Sequence, residues 1–143
     1  MKIKIKRFKK DLPLPEYKTP GAAAFDITAR ENVEIPAGEV GYVPLNIVIE
    51  TPPGHFFLLA ARSSTHKKGI IMANGIGIGD PDFSGDGDEY KAAYLNFTKN
   101  PVVIEKGERI AQGMFVKVER AEWEEVDSMK NETRGGFGST GAK

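Results

Sequence analysis

Ile3 and Ile5 alternate with Lys2, Lys4 and Lys6 at the start of the chain, the period of two expected of a strand with one buried face. Residues 38–49 form a longer apolar stretch rich in β-branched side chains, fenced by Pro36-Ala37-Gly38 and by Thr51-Pro52-Pro53-Gly54. They predict a second strand. Residues 55–60 come directly after, and the Pro-Pro-Gly between the two stretches predicts the turn of a hairpin. Further strands are predicted over 90–97, 101–104, 111–118 and 122–126. Helical periodicity is scarce. Its best instance is 63–68, a short turn opened by hydroxyl residues and closed by Gly69. Sixteen Gly and nine Pro spread among short strands, with no internal repeat, predict an all-β sandwich or barrel.

The pattern fails after residue 130. Gly135, Gly136, Gly138 and Gly141 surround a single aromatic, Phe137, and such a segment buries too little surface to offset its own ordering entropy. The expected organisation is one β domain over 1–130 and a mobile Gly-rich arm over 131–143. A chain of 143 residues suits one domain with one core.

Composition mainly excludes. Twenty basic residues balance twenty acidic ones, so the global charge favours neither nucleic-acid wrapping nor adhesion to a membrane surface. The absence of cysteine removes disulfides, thiolate-bound zinc, iron–sulfur clusters and a thiol nucleophile. No apolar run reaches the length of a membrane-spanning helix, and the alternating N-terminus lacks the apolar stretch of a signal peptide. No nucleic-acid or membrane partner is expected, and a cytoplasmic location is.

Certain segments depart from plain strand and turn. Arg62, Ser63 and Ser64 place a cation and two hydroxyls at the end of an apolar strand, a combination suited to phosphate oxygens although common in ordinary capped turns. Gly75-Ile76-Gly77-Ile78-Gly79 lacks the spacing and the downstream helix of a dinucleotide fingerprint. It suits a hairpin whose backbone a ligand approaches closely. In Glu108-Arg109-Ile110-Ala111-Gln112 a polar Gln interrupts an apolar strand. Arg134-Gly135-Gly136-Phe137-Gly138-Ser139-Thr140-Gly141 joins an Arg and an aromatic to a backbone able to wrap an anion.

Taken in order, these segments resemble the trimeric dUTP pyrophosphatase (dUTPase) family. The resemblance runs from about residue 13 to 141. It includes Pro20-Gly21-Ala22-Ala23-Ala24-Phe25-Asp26-Ile27, then Arg62-Ser63-Ser64 with Lys68-Gly69-Ile70. The Asp-x-Asp-aromatic-x-Gly pattern stands next as Asp80-Pro81-Asp82-Phe83-Ser84-Gly85, and after it come 108–112 and the tail. The resemblance implies a β jelly-roll subunit in a homotrimer with active sites shared at the subunit interfaces. It also implies hydrolysis of dUTP to dUMP and pyrophosphate.

Carried onto this sequence, the resemblance gives each motif a role. Asp80 orients and deprotonates the water attacking the α-phosphorus. Asn74, Gly75 and Gly77 read the uracil edge, and Phe83 packs against the deoxyribose and excludes a 2′-hydroxyl. Arg62, Ser63, Ser64 and Gln112 grip the phosphates. Asp26 acts through water on Mg²⁺, which prefers phosphate oxygens and retained waters. On closure of the arm, Phe137 stacks on uracil while Arg134, Gly136, Gly138 and Ser139 reach the terminal phosphate. The match departs from the family at Gly79, where a bulky aliphatic residue is usual, and at Phe83, where Tyr is commoner. It departs again at Asp86-Gly87-Asp88-Glu89, an insertion expected to be an exposed loop tip. Two alternatives share the fold: a dCTP deaminase-like enzyme, in which Ala93 stands where a catalytic Glu is needed, and a non-catalytic nucleotide-binding regulatory jelly-roll.

Overall fold

The computed structural model describes residues 1–143, and every regular element except one short turn is a strand. In chain order the strands are β1 (Ile5–Arg7), β2 (Phe25–Thr28), β3 (Val33–Ile35), β4 (Val40–Pro44), β5 (Ile47–Ile49) and β6 (His55–Ala60). After a 3₁₀ turn over Thr65–Lys68 come β7 (Ile70–Met72), β8 (Gly77–Gly79), β9 (Lys91–Asn96), β10 (Val102–Ile104) and β11 (Arg109–Lys117).

Two antiparallel sheets form the body, one in the order β2-β11-β6-β8 and the other β4-β9-β7. Ribbons β1-β5 and β3-β10 complete it. Phe25, Ile27, Phe57, Leu59 and Ala111 of the first sheet share one buried cluster with Val43, Ala92, Tyr94, Ile70 and Met72 of the second. Alternate residues of β2 and β9 point into this core while their neighbours face out, as a sandwich requires. The Tyr94 side chain is fully buried, and its hydroxyl donates to the Ile110 carbonyl across the core. No helix is long and apolar enough to cross a membrane.

Several expectations need correction. The stretch 38–49 is two strands, because Asn46 turns to φ 70° between them. Its buried amide accepts from Lys9 N at 2.6 Å and donates to Lys9 O at 3.0 Å, so a left-handed residue is held by the N-terminal segment. Pro52-Pro53-Gly54 does make a turn, with His55 N donating to Pro52 O at 3.2 Å. Its flanking strands never pair, since β5 joins β1 and β6 joins β11 and β8. The glycine-rich hairpin of 75–79 diverges likewise: β7 pairs with β9 and β8 with β6. No strand forms over 122–126; β11 ends at Lys117, and Trp123 and Val126 are exposed. Its apolar residues, Trp123 and Val126, lie three apart and so off the period of two, and the segment makes no ladder with any edge of its own chain. Ser64 caps the 3₁₀ turn by position alone, without a side-chain hydrogen bond, whereas Gly69 closes it at φ 87°.

Candidate active site

Residues from separate motifs meet on adjacent strands of the larger sheet. Gln112 of β11 registers with Asp26 of β2 on one side and with Ala60 of β6 on the other. Arg62 lies two residues past the end of β6. A β-bulge at Ile110 adds one residue to β11, so Arg109 opposes Thr28 while Gln112 opposes Asp26. Without that extra residue, positions three apart on a strand face opposite ways; with it, Arg109 and Gln112 lie on the Asp26 side.

The outcome is a carboxylate held between two guanidinium groups. Arg62 Nε donates to Asp26 Oδ1 at 3.1 Å, and Arg109 Nη1 donates to Asp26 Oδ2 at 3.0 Å. Arg62 also donates to the Arg109 carbonyl at 3.2 Å, and Gln112 Nε2 to the Ala61 carbonyl at 2.9 Å. Ser63 and Ser64 are exposed beside this cluster. Lys68 Nζ donates to Glu108 Oε1 at 2.7 Å, bracing the 3₁₀ turn against the start of β11. Two fixed cations, exposed hydroxyls and one carboxylate make a surface for a phosphate chain. Arg109 joins this cluster, although the sequence alone assigns it no role. Its three-residue spacing to Gln112 puts the two on opposite faces of a regular strand, so only the bulge brings them together.

Asn74 and Gly75 are exposed at the turn before β8, where Gly75 takes φ 76°. Gly77 registers with Leu59 of β6, and β8 has no other ladder partner. One edge of its backbone is therefore unpaired. Asp80 comes directly after β8, on the rim of a depression of about 680 Å³ that also includes His55, Asp82 and Arg120. The Asp80–Phe83 turn is closed by Phe83 N donating to Asp80 O at 3.1 Å. Phe83 stands edge-on to Tyr90, ring centroids 5.2 Å apart.

The insertion 86–89 is only half the exposed tip expected. Asp86 is exposed and pairs with Lys6 at 3.4 Å. Glu89 instead turns inward, its side chain 8% exposed, and accepts from Arg30 Nε at 2.7 Å and from Asn46 N at 2.9 Å. The bond from Arg30 to Glu89 holds the Arg30 guanidinium above its ordinary pKa against the opposing effect of burial.

These two groups of residues do not converge within one chain. Register along antiparallel β6 and β8 sets Gly79 against Phe57, so Asp80 is level with the start of β6 while Arg62 lies past its end. At about 3.3 Å per residue the two are on the order of 20 Å apart. Asp26 lies across the sheet, on the edge strand opposite β8. Arg134, Gly136, Phe137, Gly138 and Ser139 are exposed, and no hydrogen bond ties 119–143 to the rest of the chain.

Comparison with known proteins gives one answer. The dUTPase family model matches residues 10–141. The deoxyuridine 5'-triphosphate nucleotidohydrolase of Dictyoglomus turgidum is 38% identical over 148 residues, 99% of each chain. That of Rickettsia bellii is 41% identical over 133 residues, 90% of this chain and 87% of its own. The dUTPase from Streptococcus mutans superimposes with a TM-score of 0.76 at 29% identity, over 83% of this chain and 98% of that one. The Staphylococcus bacteriophage 80alpha dUTPase with dUPNHPP reaches 0.85 at 23% identity over 99% of both chains, a likeness of fold. Sheet order, motif placement and this agreement over nearly the full length lead to one conclusion: the chain belongs to the dUTPase family.

Proposed function

We propose that this protein hydrolyses dUTP to dUMP and pyrophosphate in the cytoplasm, as a homotrimer whose active sites each combine residues of neighbouring copies. The observation that carries the shared site is the separation of Asp80 from the Arg62–Asp26 cluster. About 20 Å is too far for one carboxylate to direct water at a phosphate chain held by the other group. Two copies placed edge to edge remove that gap.

In this reading Asp80 orients the attacking water and takes its proton at a carboxylate oxygen. Asn74, Gly75 and Gly77 hold the uracil against the unpaired edge of β8, and Phe83 lies against the deoxyribose. Arg62, Ser63, Ser64 and Gln112 hold the phosphates, and a serine hydroxyl donates to the bridging oxygen as negative charge develops on it. Residues 131–143 act as an arm distinct from the 1–130 domain. Phe137 covers the base, while Arg134, Gly136, Gly138 and Ser139 close on the terminal phosphate and exclude water.

Asp26 fits the single protein contact of a Mg²⁺ ion. Each of its oxygens already accepts from a guanidinium but retains a further lone pair for a bound water. One carboxylate rather than a cage suits a cation carried mainly by phosphate oxygens. Bound there, the ion would offset phosphate charge as the α-phosphorus is attacked.

The test is Asp80→Asn. Affinity for a non-hydrolysable dUTP analogue should persist, measured by calorimetry, while pyrophosphate release falls by roughly three orders of magnitude or more. Turnover within tenfold of the parent would remove Asp80 from this role.

A further inference from the structure

Gly79, the residue immediately before Asp80, is packed against Tyr90. A Cβ built on Gly79 would lie 2.1 Å from Tyr90 Oη, 2.8 Å from Cζ and 2.9 Å from Cε1. None of these contacts is sterically allowed, and the ring has little room to retreat. Tyr90 is 6% exposed and stands edge-on to Phe57 at 4.7 Å and to Phe83 at 5.2 Å. Its backbone is fixed on both sides, with Tyr90 N donating to Ile47 O at 3.0 Å and Leu45 N donating to Tyr90 O at 2.9 Å. Glu89, the residue before it, is anchored by Arg30 and by Asn46 N. The phenol therefore fills the space of the side chain that Gly79 lacks, and the Asp80–Phe83 turn rests on it.

From this packing we propose that Tyr90 is a positioning residue for Asp80 and Phe83 and sets the enzyme's discrimination between deoxyribo- and ribonucleotide. The proposal rests on the dUTP-hydrolysing reading above and adds a determinant outside the residues that touch substrate. Gly79, Phe83 and the 86–89 insertion become parts of one arrangement. The insertion's final residue anchors Tyr90, Tyr90 occupies the notch at Gly79, and Phe83 leans on the same ring. Tyr90 Oη and Thr51 Oγ1 are both buried and have no partner other than each other. Replacing the phenol by a shorter side chain opens a void under Phe83, and an aromatic wall that can recede no longer rejects a 2′-hydroxyl.

The experiment is a mutant cycle on the full-length protein: Gly79→Val, Tyr90→Ile, the two together, and Tyr90→Phe. The readout is kcat/KM for dUTP and for UTP, with folding monitored by thermal melting. Tyr90→Ile should lower the dUTP/UTP ratio by about tenfold or more, with the UTP value rising. Gly79→Val should lower kcat for dUTP, and the double variant should return the ratio to within about threefold of the parent because the new side chain fills the vacated notch. Tyr90→Phe keeps the ring beneath Phe83 and should keep the ratio. A folded Tyr90→Ile with the parental ratio overturns the proposal. If Tyr90→Ile does not fold, the double variant decides: a ratio within about threefold of the parent supports the proposal, and a ratio about tenfold or more below the parent overturns it. A parent that turns over no dUTP defeats the functional reading itself, which is a different result from an unchanged ratio.

Discussion

At the residue scale the informative atoms are the two oxygens of Asp26. Each accepts from a different arginine, so the carboxylate holds both guanidinium groups in place ahead of the phosphate contact proposed above. Ordering a flexible cation in advance reduces the side-chain entropy lost on binding. Arg109→Ala should therefore raise KM for dUTP by roughly tenfold with a smaller effect on kcat, and Arg109→Lys should not restore it, because an ammonium cannot present a planar fork. Steady-state kinetics on the three proteins checks this; parental KM in Arg109→Ala would leave the arginine a bystander. Arg62 and Gln112 are legible in the sequence, since one ends and the other interrupts an apolar strand with a group suited to phosphate. Arg109 is not legible as their partner, because a bulge leaves no trace in the alternation it disrupts. Nor is Tyr90, which reads as one more aromatic in a strand until the missing Cβ of Gly79 is set beside it.

At the scale of elements, β1, β4 to β6 and β9 to β11 are legible because β-branched runs and glycine–proline fences coincide there, whereas the pattern marks none of β2, β3 and β7. β9 and β11 fall within two residues of where the pattern puts them. Pairing is not legible. Residues 52–54 read as a hairpin turn and 75–79 as a hairpin, yet β5 does not pair with β6 nor β7 with β8. A local turn fixes chain direction, while the partner is chosen by which face must be buried. The insertion misleads for a related reason: its acidic run suggests solvent, but Glu89 finds a guanidinium and a backbone N–H inside. Glu89→Ala strands both donors in a nearly buried setting and should destabilise the fold by about 2–4 kcal/mol, visible as a lower urea midpoint at unchanged slope. Glu89→Gln should recover part of the loss. A midpoint unmoved by Glu89→Ala would make the clamp ornamental.

For the whole molecule, the buried phenols give the core a definite response to alkali. Burial pushes the Tyr94 hydroxyl upward, and it does the same to Tyr90, where Thr51 opposes and the Asp80 carboxylate adds to the rise. An unfolded tyrosine loses its proton near pH 10, so between about that value and the raised folded ones the unfolded chain binds fewer protons. Stability is then full below about pH 10 and declines as pH climbs through the folded values. Melting temperatures measured from about pH 9 upward should fall, less steeply in Tyr90→Phe. An identical slope in that variant would assign the transition to other groups.

The last strand ends at Lys117, and the chain beyond it joins no ladder. Lys130 and Arg134 stand exposed in that final segment, each an ordinary trypsin site on backbone that no strand pairs. A single nick there would leave the sandwich, its melting curve and its Asp26 cluster intact while removing all the glycines of residues 135–141. Under the proposed closing role of this segment, a preparation clipped during purification would thus pass the usual checks of folding and still turn over poorly. Intact-mass measurement, rather than a thermal melt, is the quality control this protein calls for, and a bound nucleotide that slows the clipping would be a direct readout of closure.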